Sequence, residues 1–354
     1  MTPPVVTALA GGVGAARMLS GLAAVVGQPS LTAIVNTADD IVLHGLYVSP
    51  DMDTVTYTLA GVSNPETGWG LVNETWAVMG ALRAFDPQST RATAPPRAPT
   101  APTGPQAAPE SRPARGLTWF ALGDKDLATH LYRTGRMAAG ATLSQVSEEI
   151  ARRWGVRAHL VPMTDSRVET RVTVELPGLG LQEIGFQDYF VGFHHSVPVK
   201  SLRFDNIEKA APAPGAIEAI EQADVVVICP SNPFVSIGPV LAVPGIAEAV
   251  TCRRDRNVAV SPIIAGKALK GPADRMLSEL GHELSVVGIA RLWTSLASTL
   301  VVDEADAELA PRVEAEGMRC LPARAVMSGP TEAAALARAA LGAVLGPDQL
   351  ALKQ

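Results

Sequence analysis

A chain of 354 residues, 47% of them hydrophobic, carries enough apolar side chain for one large core or two modest ones. Its formal charge of −6 and pI near 5.6 supply no basic footprint for nucleic acid, so any anion site must be local. Cys229, Cys252 and Cys320 are widely separated and have no Cys-x-x-Cys spacing, which argues against a disulfide framework or a zinc site and fits a reducing cytoplasm.

The apolar start has no Lys or Arg before it and is soon interrupted by glycines, a poor pattern for a secretory signal. No uninterrupted run of about 18 apolar residues follows, so no membrane span is expected. Val5 to Ala10 reads as a buried strand, Gly11-Gly12-Val13-Gly14 as a glycine loop and Ala15 to Val26 as a helix. Glycines let a ligand approach the backbone, and free N–H groups at a helix start favour an anion, so phosphate is the natural guest. A dinucleotide fingerprint would need glycine where Arg17 stands, and the second strand ends at Asn36 instead of an acidic ribose ligand. A tight turn without a ligand is the plainer alternative.

Leu31 to Asn36 reads as a second strand that delivers Thr37-Ala38-Asp39-Asp40 to the same sheet edge. Asp39, Asp40, Asp51 and Asp53 fall within fifteen residues, in loops. Hard oxygen ligands beside a phosphate loop suit magnesium. The alternative is local: Asp51 or Asp53 caps a helix from Thr54 to Ala60, and Asp39 and Asp40 are turn residues.

A helix is expected over Val72 to Phe85, with Trp76 in its packing. Pro87 to Arg115 holds eight prolines and almost no large apolar residue, so it reads as a mobile surface insertion. Leu117 to Leu122 predicts a strand, and Gly123-Asp124 opens a helix carrying Lys125, His130, Arg133 and Arg136. Those cations could neutralise phosphate, or form a solvated face, with His130 a structural histidine.

Thr142 to Gln145 resembles a capping box ahead of a helix ending near Trp154. Val156 to Val161, Val168 to Leu176 and Leu181 to Phe190 predict three strands of a β-rich lobe over 156–205. His194-His195 has no partner at ligand spacing. Parallel-sheet texture resumes at Asp224 to Cys229, which runs into Pro230-Ser231-Asn232-Pro233, a second ligand edge, with Cys229 a small buried residue. Val258 to Ile264 and Leu300 to Asp303 add strands, and Pro330 to Leu345 a closing helix. The expectation is a single Rossmann-like α/β unit over 1–354: a mostly parallel sheet with helices on both faces, plus the smaller lobe.

Several uncommon loops carry a more specific signal. Gly11-Gly12-Val13-Gly14, Val35-Asn36-Thr37-Ala38-Asp39-Asp40, Ser49-Pro50-Asp51-Met52-Asp53-Thr54, Leu122-Gly123-Asp124-Lys125-Asp126 with Ala128-Thr129-His130, Pro230-Ser231-Asn232-Pro233 with Ser236-Ile237-Gly238-Pro239, and Val260-Ser261-Pro262-Ile263-Ile264 together resemble the 2-phospho-L-lactate transferase family, called CofD or, in actinobacteria, FbiA. The resemblance implies a magnesium-dependent enzyme of coenzyme F420 biosynthesis. Such an enzyme moves a phospholactyl or phosphoenolpyruvyl group from a diphosphoguanosine donor to the deazaflavin Fo and releases GMP.

It also implies that Asp51 and Lys125 contact the deazaflavin, that the glycine loop and Ser231-Asn232 hold the guanosine diphosphate part, and that the protein is a homodimer. From the residues, Asp51, aided by Asp53 or Asp39, would bind magnesium or orient the attacking hydroxyl, and Lys125 would balance charge, with Asn36 counted among the substrate-binding residues. A UDP-sugar-binding regulator similar to YvcK and a nicotinamide oxidoreductase are the competing classes; the Asp51 and Lys125 motifs disfavour the first, Arg17 and Asn36 the second.

Overall fold

The computed structural model describes residues 3–86 and 116–346. The expected Pro-rich insertion of 87–115 lies outside the described residues. Seven parallel strands form one sheet in the order Arg319–Ala323, Thr299–Asp303, Asn257–Val260, Val225–Ile228, Val6–Ala10, Leu31–Val35, His159–Pro162.

Helices cover both faces, so the central strands are buried on each side and read as unbroken apolar runs. Alternate residues enter two cores: Ala8, Ala33, Val227 and Val260 on one face, Leu9, Ile34, Val226 and Ala259 on the other. The helix Gly12–Val26 packs on the first face against the closing helix Pro330–Gly342. Gly21 allows this approach, because a Cβ there would lie 2.2 Å from the Ala333 carbonyl oxygen.

The smaller lobe is a three-stranded antiparallel sheet, ordered Gly180–Gly185, Glu169–Leu176, Val199–Asp205. Its alternation is as expected, with Val172, Val174 and Leu176 inward. Its membership differs. The strand expected at Val156 to Val161 runs His159–Pro162 and forms the edge of the large sheet, while Val199–Asp205, unanticipated, completes the lobe.

Two other expectations fail for local reasons. Leu117 to Leu122 forms turns and irregular chain instead of a strand, and Trp119 and Phe120, edge-on to each other, pack with Trp76 against a satellite cluster. The helix expected from Val72 spans only Ala77–Arg83. It starts late because Val72 N–H donates to Val62 O, and because Asp124 accepts the N–H groups of Ala77 and Val78 at 2.9 and 3.0 Å. The Thr142–Gln145 capping box is present, and its helix runs Leu143–Arg153.

Candidate active site

Strand order reverses between Val6–Ala10 and Val225–Ile228, and in open α/β sheets the crevice at the carboxyl ends of such strands binds ligands. Gly11 leaves one of these strands and Pro230-Ser231-Asn232 the other. Ser231 Oγ donates to Gly11 O at 2.7 Å and ties the two ends together.

The glycines differ from the expected loop: the helix begins at Gly12, so Gly12-Val13-Gly14 is its first turn, with Gly11 the uncapped residue before it. Gly12 has φ of +71°, a conformation that favours glycine. A Cβ on Gly14 would fall 2.4 Å from Pro230 O. Gly14→Ala must therefore prise apart the two strand ends, and a loss of about 1–3 kcal/mol is expected in chemical denaturation.

Asn36, fully buried at the end of the second strand, organises the acidic groups. Its Nδ2 donates to Asp39 Oδ2 and Asp51 Oδ2, both at 3.0 Å, and to Val235 O at 3.2 Å, while its Oδ1 accepts Ala38 N–H at 3.0 Å. Burial, and then the charge of Asp51, push the Asp39 carboxyl well above the usual range. Burial pushes Asp51 up to about 6 against the opposing bonds from Asn36 and the Gly12 backbone. Asp40 is pushed up to about 7 by burial, moderated by the Ser49 hydroxyl at 2.8 Å and the charge of Arg133.

Asp39 Oδ1 and Asp40 Oδ2 are buried with no hydrogen-bond partner among the described residues. Hard, crowded and under-satisfied carboxylate oxygens are a donor set that fits magnesium. The lobe reaches the same place, since Gln187 Nε2 donates to Asp39 O at 2.9 Å. Sequence reading missed Gln187 because nothing in its own segment points to a partner nearly 150 residues away.

The helix that carries Asp51 runs Pro50–Leu59 instead of starting at Thr54, with Ser49 as its N-cap residue. Pro50 suits the first helical position, so neither Asp51 nor Asp53 is the cap. Both lie in the first turn, where the helix dipole favours negative charge. Two positions turn a side chain by about 200°, so the two carboxylates diverge.

Asp53 leaves the Asp39–Asp51 group and meets Arg133, whose Nη2 donates to Oδ1 and whose Nη1 donates to Oδ2 at 3.1 Å. Asp53, Asp126 and His130 bring candidate ligand atoms within 4.8 Å of one another. Both Asp53 oxygens are nevertheless engaged by the guanidinium, which already supplies the positive charge there. His130 is buried between Asp53 at 3.7 Å and Asp126 at 3.5 Å, and its Nε2 has no hydrogen-bond partner among the described residues.

Lys125 lies on the helix Asp124–Ala138, which runs antiparallel to the Asp51 helix: Asp53 meets Arg133, whereas Tyr57 Oη lies 2.7 Å from Asp126 Oδ1. This sense puts Lys125 toward the far end of the Asp51 helix. It is exposed, and its Nζ donates to Val72 O at 3.0 Å. The Asn232 side chain accepts from Phe234 N–H at 2.9 Å on its own loop and donates from Nδ2 to Met276 Sδ at 3.2 Å on a neighbouring helix. Cys229 is fully buried, and burial pushes its thiol up, so it is no nucleophile. Among the described residues no single helix is long and apolar enough to cross a membrane.

The family model of 2-phospho-L-lactate transferase CofD matches residues 6–323. Proteins named phosphoenolpyruvate transferase are similar along almost the whole chain. That of Kitasatospora aureofaciens is 40% identical over 338 residues, 95% of this chain and 96% of the relative. That of Streptomyces griseus is 42% identical over 337 residues, 95% and 97% of the two chains. The crystal structure of a UPF0052 family protein from Bacillus halodurans superposes with a TM-score of 0.57 at 17% identity, over 96% of this chain and 99% of that one, a likeness of fold. With a family match over most of its length and relatives of this identity, the chain belongs to the CofD family and is a transferase.

Proposed function

We propose that this transferase moves a phosphoenolpyruvyl group, or its 2-phospho-L-lactyl counterpart, from a diphosphoguanosine donor to the ribityl hydroxyl of the deazaflavin Fo, releasing GMP, in coenzyme F420 biosynthesis. The name shared by relatives at 40 and 42% identity favours the enolpyruvyl donor. The observation that carries the reading is the Asp39–Asn36–Asp51 group beside the Gly12 helix start, where buried carboxylates meet a backbone suited to phosphate.

Attack by the acceptor oxygen forms one P–O bond while the bond to GMP breaks; Asp51 orients the attacking hydroxyl, whose proton is taken up by the released GMP phosphate or by water. Asp51 and Asp39 are the groups that would hold magnesium; Asp53, engaged by Arg133, would serve them from behind. Magnesium, when bound, supplies charge neutralisation at the phosphate oxygens. Ser231 and the glycine turn fix the donor, and Lys125, at the other end of the helix pair, would meet the acceptor.

GMP release from each diphosphoguanosine donor, with and without Fo, in magnesium and then in EDTA, tests this reading. Release should require Fo and be abolished by EDTA, with the enolpyruvyl donor faster. No reaction from either donor, together with tight binding of a UDP-sugar, would replace it with the regulator reading.

A further inference from the structure

Arg17 stands one helical turn beyond Val13, so the two side chains share a face of the first helix. The segment around Gly68 lies over that face: a Cβ on Gly68 would be 2.7 Å from Val13 Cγ1 and 3.3 Å from Lys270 Nζ. Lys270 Nζ donates to Thr67 O at 3.0 Å, and Arg17 Nη1 donates to Met327 O at 3.2 Å. The chain has thus gathered two cations from positions more than 250 residues apart in sequence beside the glycine turn.

Neither has a carboxylate partner among the described residues: Arg17 is half-buried and Lys270 exposed, and the protein atoms they bond are carbonyl oxygens. Burial and the charge of Arg17 hold the Lys270 ammonium below its usual range, a mark of two like charges in one field. Bringing cations together without a counter-ion costs free energy, which an anionic ligand offsets. The sheet's switch point and the tie between Ser231 and Gly11 place a ligand crevice at the same turn.

We infer that Arg17 and Lys270 form a cationic clamp for the diphosphate of the nucleotide donor. The inference rests on the proposed transferase reading and deepens it: it names the groups that receive the donor's charge. Arg17 supplies a planar fork for two phosphate oxygens, and Lys270 a mobile point charge that also pins the 64–70 segment over the turn.

The test is titration of GDP into the full-length protein and its variants by calorimetry, each variant first checked for an unchanged melting curve. Arg17→Gln and Lys270→Gln should each weaken GDP binding about tenfold or more and flatten its salt dependence, and Arg17→Lys should recover part of the loss. Lys267→Gln, an exposed lysine of the same segment, is the control and should bind as wild type. Wild-type GDP affinity in folded Arg17→Gln or Lys270→Gln, or an equal loss in Lys267→Gln, overturns the clamp.

The two readings separate cleanly. GDP binding that depends on the clamp, without GMP release from either donor, would sink the transferase reading and leave the clamp standing. Normal turnover with clamp variants that bind GDP normally would do the reverse, and a wild-type protein that does not bind GDP would end the clamp and leave the transferase reading to the GMP-release assay.

Discussion

Asp51→Asn should leave the protein as stable as wild type, or more so, while lowering GMP release by about a hundredfold to a thousandfold, the loss typical when a group acting on transition-state charge or proton transfer is removed. The two effects have one cause. Asp51 and Asp39 hang on the same Asn36 amide, and the charge of Asp51 helps push Asp39 above its ordinary range. In the folded protein without a cation the pair is therefore repulsive. The amide substitution keeps an oxygen for the Asn36 donor and removes one charge, so the repulsion ends, but so does a hard, charged ligand at the reacting hydroxyl.

Asp51→Ala is the poorer experiment, because it strips the Gly12 N–H of its carboxylate acceptor and mixes a folding cost into the result. Melting temperature and turnover measured on one preparation of Asp51→Asn decide the matter. Wild-type turnover would remove Asp51 from the chemistry, and a large fall in melting temperature would mean that its charge is structural.

How much of this was legible in the sequence depended on which core a segment joins. Val6–Ala10, Val225–Ile228 and Thr299–Asp303 are buried on both faces, and continuous apolar runs announce them. Arg319–Ala323 sits at the sheet edge and carries Arg319 and Pro322, so it has no such texture. Leu117 to Leu122 has the texture without the sheet, because an apolar run announces burial and cannot say which cluster does the burying.

The site divides the same way. Asn36, Asp39 and Asp51 were readable because a strand end and the two loops after it converge by the geometry of the βαβ turn. Asp53 reads in sequence as an aid to Asp51, and only the helix phase sends it to Arg133. Gln187 and Lys270 arrive from distant elements whose local patterns carry no hint of their neighbours.

Arg133→Met should cost about 3–5 kcal/mol of stability, the usual penalty for stripping one partner from a buried ion pair. Arg133 and Asp53 are 1% and 4% exposed, and no solvent replaces the guanidinium when it is lost. Arg136, three residues along the same helix, makes equally good bonds to Glu149 at 2.9 and 2.8 Å, but both partners are open to water. Arg136→Met should therefore cost far less, although the hydrogen bonds match.

Arg133→Lys restores the charge without the two-pronged geometry and should fall between wild type and Arg133→Met. Adding Asp53→Leu to Arg133→Met should recover most of the loss, since an apolar pair of similar volume has no unpaired charge to bury. Urea denaturation of the four variants gives the ordering. If Arg133→Met unfolds at the same urea concentration as Arg136→Met, the buried pair does not fix the first turn of the Asp51 helix, and the support assigned to Asp53 behind that carboxylate falls with it.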